Sequence, residues 1–116
     1  MPSDVATAAL YDIRDNILIA REFVKDLTLH DFTASRLHSY AVARAIEIVS
    51  EASRRLPDDV PNRHPHLPWR AIRDTGNFYR RRYDNVAETR IWTTVHEDFT
   101  PLLAAIEQEL KRYDAL

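Results

Sequence analysis

The sequence predicts an all-α fold, an antiparallel bundle of four to five helices whose last helix is kinked or broken. Three observations carry this expectation. Apolar residues recur at three- and four-residue steps along four segments, the chain holds a single glycine, and no stretch of any length alternates apolar with polar residues as a half-buried strand would. At 116 residues, 45% of them hydrophobic, the chain suffices for one domain over 1–116 with a core of its own.

The first segment places Leu10, Ile13, Ile17, Ala20, Val24 and Leu27 on one stripe, with Ser3 or Asp4 as a candidate cap and a turn over Asp26 to Asp31. The second runs from about Thr33 to Leu56 and has two stripes. One passes through Leu37, Ala41, Ala45, Ile48 and Ala52, the other through Val42, Ile46, Val49 and Leu56. Two stripes imply a helix covered on more than one side, either central in the bundle or meeting another subunit. Pro57 stops it, because proline lacks the amide that would continue the helix. Residues 57 to 68 hold four of the six prolines and read as an irregular connection. Pro68 suits the first turn of a third helix, on which Trp69, Ile72, Gly76 and Tyr79 share a face. Glycine there costs roughly 1 kcal/mol of helix propensity, which a close helix approach would explain. The fourth segment aligns Ile91, Val95, Phe99, Leu102, Ile106, Leu110 and Tyr113, interrupted at Thr100-Pro101.

Charge and cysteine content narrow the chemistry. There is no cysteine, which excludes disulfides and thiolate metal sites and fits a reducing cytoplasm. The apolar runs are far shorter than a membrane span and no signal-peptide pattern opens the chain, so a cytoplasmic protein without membrane contact is expected. Net charge is −2, yet Arg63 to Arg82 holds six arginines and one acid, Asp74. A basic patch on an acidic body can focus an anionic ligand, and it can equally be a solvated face laced with ion pairs.

His64-Pro65-His66 reads as a loop with two exposed histidines rather than a metal site, since no third ligand follows at helical spacing. His30, His38 and His96 are isolated, and a helix terminus or a satisfied polar contact is expected for each. No P-loop, nucleophile elbow or dinucleotide-binding glycine pattern occurs, and no cofactor is expected. Glu47 and Glu51 lie one turn apart on the second helix, either as ion-pair partners across the bundle or as carboxylates orienting arginines of the third helix. The richest stretch is Gly76-Asn77-Phe78-Tyr79-Arg80-Arg81-Arg82-Tyr83-Asp84. Arg73, Asn77, Arg80, Arg81 and Tyr83 can hold a phosphodiester through charge-assisted hydrogen bonds, with Arg70 and Arg82 adding charge and Tyr79 or Tyr83 a stacking surface for bases. What the stretch lacks is a group that titrates near neutrality, because guanidinium stays protonated. The arginines also have an ordinary structural use, as cations at a helix C-terminus.

Taken together, Leu10-Tyr11-Asp12-Ile13, Ala45 to Ala52 followed by Arg55-Leu56-Pro57, Pro65 to Ile72, the Gly76–Asp84 block and Ile91 to Val95 resemble, in this order and spacing, the HepT-like branch of the HEPN (higher eukaryotes and prokaryotes nucleotide-binding) superfamily. The resemblance implies a helical bundle, usually a homodimer, and a metal-independent ribonuclease toxin acting on RNA and paired with a small nucleotidyltransferase antitoxin. It implies a motif of an arginine, four to six residues, a histidine, one residue and a tyrosine, contributed by both subunits to one cleft. Tyr83 matches the tyrosine, and with it a possible AMP acceptor. Asn77 matches the polar residue after the arginine. Position 81, where the histidine belongs, is Arg81, and the arginine position holds Gly76, so that Arg73 or Arg80 would have to substitute. The resemblance thus implies an active family and an inactive or nearly inactive chain. Two origins for Arg81 stay open: natural decay with a retained RNA- or partner-binding role, or a histidine-to-arginine change that spares an expression host. A non-catalytic module binding a nucleotidyltransferase or a nucleotide is the alternative function, and a purely structural helical dimer the third.

Overall fold

The computed structural model describes residues 4–81 and 85–114, with side chains described outside 76–86. Among the described residues every regular element is helical: α1 (Asp4–Val24), α2 (Leu29–Thr33), α3 (Arg36–Arg54), α4 (Asp59–Arg63), α5 (Trp69–Arg81), α6 (Asn85–Thr93), a π-helical segment (Thr94–Asp98) and α7 (Phe99–Asp114). Two of them are single turns, so the bundle is built from α1, α3, α5 and the long α6–π–α7 rod, with α3 packed between α1 and α5. The expected all-α bundle with an irregular last helix is what the chain forms.

The apolar stripes account for the packing. Leu10, Ile13, Ile17, Ala20 and Val24 of α1 are all buried, as are Val42, Ile46, Val49 and Leu56 around α3. Each fully buried Leu, Ile or Val contributes about 1.5–3 kcal/mol, far more than the tenths contributed by helix propensity, so burial sets the register of each helix. The loop expected between the first two helices contains α2 instead. Thr28 caps it, with the Thr28 hydroxyl accepting from the Asp31 amide and Asp31 accepting from the Thr28 amide. This reciprocal pair stabilises one turn in what composition alone reads as a turn region. It also seats Phe32 in the core, 5.5 Å from the Trp92 ring. Ser35 caps α3 at the His38 amide, and its hydroxyl meets His38 Nδ1 at 2.7 Å. Ser3, the other cap expected for α1, lies outside the described residues.

The irregularity of the last helix begins before Thr100-Pro101. Ala87, Ile91, Val95 and Phe99 are all buried at successive four-residue steps. In a regular α-helix each such step drifts by about 40°, so three in a row, about 120°, would leave the core side. The π-helical segment absorbs that drift. The Phe99 amide donates to the carbonyl of Thr94, five residues back, as well as to Glu97. Pro101 completes the cause, since it has no amide to offer the Glu97 carbonyl. Arg21 of α1 ties this region down by donating to the Thr100 hydroxyl at 3.0 Å.

The two stripes of α3 have different fates. Val42, Ile46 and Val49 are core, and Ala45 and Ala52 join them. Leu37, by contrast, is 77% exposed, Tyr40 is 52% exposed, and Ala41 and Ile48 are only half-buried. This outer stripe continues onto α1. Arg55, at its lower end, donates to Asp12 of α1 at 2.8 Å and pairs with Glu51 at 3.2 Å. On α1 the positions that follow Asp12 on the same face are 16, 19 and 23, and Ile19 and Phe23 are exposed.

Candidate functional site

The candidate site is built on α5, which runs unbroken through Gly76 to Arg81. Helical register divides it into two faces. Positions 70, 73, 77, 80 and 81 fall within about 100° of one another, while Pro68, Ala71, Ile72 and Thr75 occupy the opposite side. The backbone therefore brings five of the eight expected phosphate-binding or catalytic positions onto one helix face. Arg70 is exposed and Arg73 half-buried. The side chains of Asn77, Tyr79, Arg80 and Arg81, and Arg82 and Tyr83 entirely, lie outside the described residues.

α3 holds this helix in place through polar contacts at one carbonyl. Ser50 Oγ donates to the carbonyl of Arg73 at 2.6 Å, and Arg54 Nη1 donates to the same oxygen. Ser50 and Ser53 are buried and small, which lets α3 and α5 approach closely. Trp69 locks the start of α5. Its ring is buried, and its indole Nε1 donates to the carbonyl of His64 at 2.8 Å. Neither Ser50 nor Arg54 stands out in the sequence as an anchor of the arginine helix. Both read as ordinary helix positions, and only the crossing of two helices reveals their use.

Arg73 has an unusual environment. Its Nε is buried and has no hydrogen-bond partner among the described residues. A buried donor without an acceptor costs on the order of 1–3 kcal/mol. Glu88 at the start of α6, which sequence reading does not single out, likewise has a buried carboxylate oxygen without a partner among the described residues.

Among the described residues the glutamates of α3 pair with arginines close to them in sequence, and the side chains of Arg80 and Arg81, which they could orient, lie outside the described residues. Glu47 pairs with Arg44 of its own helix at 3.4 Å, and Glu51 with Arg55. The carboxylate spacing that raised the possibility serves local ion pairs one turn apart. Arg55 also reaches across, to Asp12 of α1.

His64 departs from expectation as well. It is buried, not exposed, with Nε2 at 2.9 Å from Glu109 Oε2. Glu109 is 2% exposed and also accepts from Arg63 through Nε and Nη2, while Arg63 Nη1 reaches Asp59 at 3.0 Å. Burial alone would raise the Glu109 pKa. The Arg63 hydrogen bonds and the His64 contact outweigh it and hold the carboxyl below its usual range, and Glu109 in turn raises the Arg63 pKa. The cluster hangs the connection before α5 from α7. His66 remains exposed, and no group of three or more metal-ligating side chains forms among the described residues. His96 stacks on Trp92 at 4.0 Å, and its Nδ1 meets the Trp92 carbonyl at 2.9 Å, a satisfied polar contact of the expected kind.

A second concavity lies on the other face of α5. It has a volume of about 340 Å³ and is enclosed by α3, α5 and the α6–π–α7 rod, with Arg90, Thr94 and Asp98 along one wall. It is separate from the arginine face. Among the described residues no helix is long and apolar enough to cross a membrane.

Comparison with known proteins finds relatives that cover most of the chain. A protein named "Probable ribonuclease HepT" from Thermococcus cleftensis is 33% identical over 99 residues, covering 85% of this chain and 90% of that protein. A protein of Methanocaldococcus jannaschii that carries the name RNase is 32% identical over 100 residues, covering 86% of this chain and 92% of the relative. No solved structure matches the chain. The family model described as ribonuclease HepT-like matches residues 13–109, nearly the whole bundle from α1 to the Glu109 latch, and the chain therefore belongs to the ribonuclease HepT-like family.

Proposed function

We propose that this chain is a ribonuclease toxin of the HepT type, in a form silenced by Arg81, that binds RNA along the arginine face of α5. The observation that carries the reading, beyond family membership, is that helical register sets positions 70, 73, 77, 80 and 81 on one face of α5. Arginines grouped in this way suit the charge-assisted hydrogen bonds that a phosphodiester accepts. In the proposed chemistry the 2′-hydroxyl of RNA attacks the adjacent phosphate, Arg73 or Arg80 stabilises the charge developing on phosphorus, and no metal is required. A neutral imidazole at position 81 would take the hydroxyl proton. Arg81 can hold phosphate and cannot take that proton. The direct test is Arg81→His, which is expected to restore RNA cleavage in excess chelator. A second variant tests the binding half. Arg73→Ala in the chain as it stands is expected to weaken RNA binding about tenfold or more and to lower the salt dependence by about one charge. Unchanged affinity and salt slope would remove Arg73 from the RNA face.

The reading includes a homodimer, a cytoplasmic setting, a nucleotidyltransferase antitoxin as partner and Tyr83 as the residue open to AMP transfer. The dimer is supported by large apolar side chains left exposed on two helices packed together, Ile19 and Phe23 on α1 and Leu37 and Tyr40 on α3. Leu37→Asp is expected to shift the protein from dimer to monomer in sedimentation while leaving its helical content intact. A wild-type chain that already sediments as a monomer would remove the dimer, and a variant that stays dimeric would move the interface elsewhere. Arg81 itself favours a second reading, a non-catalytic module that binds a nucleotidyltransferase or a nucleotide with the same face. Tight partner binding by the chain as it stands, with no cleavage by Arg81→His, would select it.

A further inference from the structure

We infer that the cavity behind α5 is a binding site for a free amino acid with an apolar side chain, held as a zwitterion. Its interior is aliphatic, formed by Ile46, Val49, Leu67, Ile72 and Leu102, with Phe99 as the aromatic contribution. At about 340 Å³ it lies at the small end of ligand pockets, suited to a metabolite of a dozen or so heavy atoms. The π-helical segment organises its polar wall. In a regular α-helix, residues eight apart diverge by about 80°. The wider turn over Thr94–Asp98 removes most of that divergence, so Arg90, Thr94 and Asp98 line the same cavity at four-residue steps.

The polar inventory of that wall selects the ligand. The hydroxyls of Ser50, Thr75 and Thr94 already donate to the carbonyls of Arg73, Ala71 and Arg90. Arg90 and Asp98 are uncommitted: among the described residues neither side chain forms an ion pair, with the other or with any third group. One free guanidinium and one free carboxylate at the same rim match a carboxylate and an ammonium on one molecule. A fatty acid would leave Asp98 facing its own sign, and a simple amine would do the same to Arg90. Among the described residues a nucleobase would find one ring, Phe99, where stacking favours an aromatic platform. A zwitterion with an aliphatic or phenyl side chain satisfies both charges and fills the apolar interior. This site does not depend on the ribonuclease reading, since it lies on the face of α5 away from the arginines.

The test is titration of the full chain with L-leucine and L-phenylalanine, read by calorimetry and by thermal shift, alongside N-acetyl-L-leucine and L-leucinamide. Saturable binding of the free amino acids is expected, with both blocked forms about tenfold weaker because each loses one charge-assisted contact. Arg90 and Asp98 are exposed, so Arg90→Gln and Asp98→Asn should fold normally. Asp98→Asn should reduce affinity for leucine while sparing N-acetyl-leucine, and Arg90→Gln should spare leucinamide. Ala71→Trp should fill the cavity and abolish binding. Absence of saturable binding by either amino acid, or equal affinity for free and blocked forms, overturns the proposal, as does full affinity in both charge variants.

Discussion

Replacing Arg81 with histidine is expected to raise the rate of RNA cleavage about 10²–10⁴-fold, the range that a positioned general base contributes. The argument rests on titration. A guanidinium loses its proton only above about pH 12, so at neutrality Arg81 offers five donors and no acceptor. An imidazole with an ordinary pKa near 6.5 is substantially neutral at pH 7 and can accept the 2′-hydroxyl proton. The rate should therefore rise with pH as the imidazole deprotonates, a profile that arginine cannot produce. Position 81 closes α5, which is held to α3 by the paired donors at the Arg73 carbonyl, so the substitution is not expected to disturb the helix. Cleavage should survive chelators, and expression of the variant should arrest growth. Helical, dimeric Arg81→His protein that leaves every tested RNA intact would refute the enzyme reading, and the Arg73→Ala comparison would then show whether RNA binding stands without it.

Glu109→Ala is expected to cost about 3–5 kcal/mol, because it strands Arg63 and the buried His64 together. Against a total stability of 5–15 kcal/mol this is a large fraction, visible as a marked fall in melting temperature. Glu109→Gln keeps the shape and some hydrogen bonding and should cost less. The sign of the pH dependence follows from the lowered Glu109 pKa. A carboxylate whose folded pKa lies below its unfolded value binds fewer protons when folded, so its contribution is present above the unfolded pKa. It is lost as pH falls through the folded pKa, below the usual carboxylate range. Wild type should thus lose stability on acidification more steeply than Glu109→Gln, and parallel urea midpoints from pH 7 down to pH 3 would measure the difference. Parallel curves for the two proteins would mean that Glu109 is not the group responsible.

The extent to which such features are legible in the sequence depends on their range. The four long helices are readable because their stripes repeat every three or four residues, and Leu10, Ile13, Ile17, Ala20 and Val24 are buried as the spacing requires. The arginine face of α5 is readable for the same reason, since register alone groups positions 70, 73, 77, 80 and 81. α2 is missed because one reciprocal cap, Thr28 with Asp31, outweighs the turn-like composition around it. His64 is misread because its partner lies 45 residues away. A signal existed in Glu109, which sits at the edge of the stripe through Leu102, Ile106 and Leu110, where a carboxylate requires a buried cation. Leu37 shows the opposite limit. Periodicity marks it as apolar-facing but cannot say whether another helix or another molecule covers that face. The anchoring of α5 by Ser50 and Arg54 is invisible until two helices cross.

The wide turn at Thr94–Asp98 also has a historical reading. A helix that takes up one additional residue without displacing either end must swell locally, and a π-helical segment is the form such swelling takes. A homologue one residue shorter here would keep its core side chains on either side of the gap yet lose the line that joins Arg90 to Asp98. Alignments of this family should therefore be inspected for a single-residue gap between 94 and 98. Its presence or absence would sort relatives into those that inherited the charged wall and those that diverged before it arose.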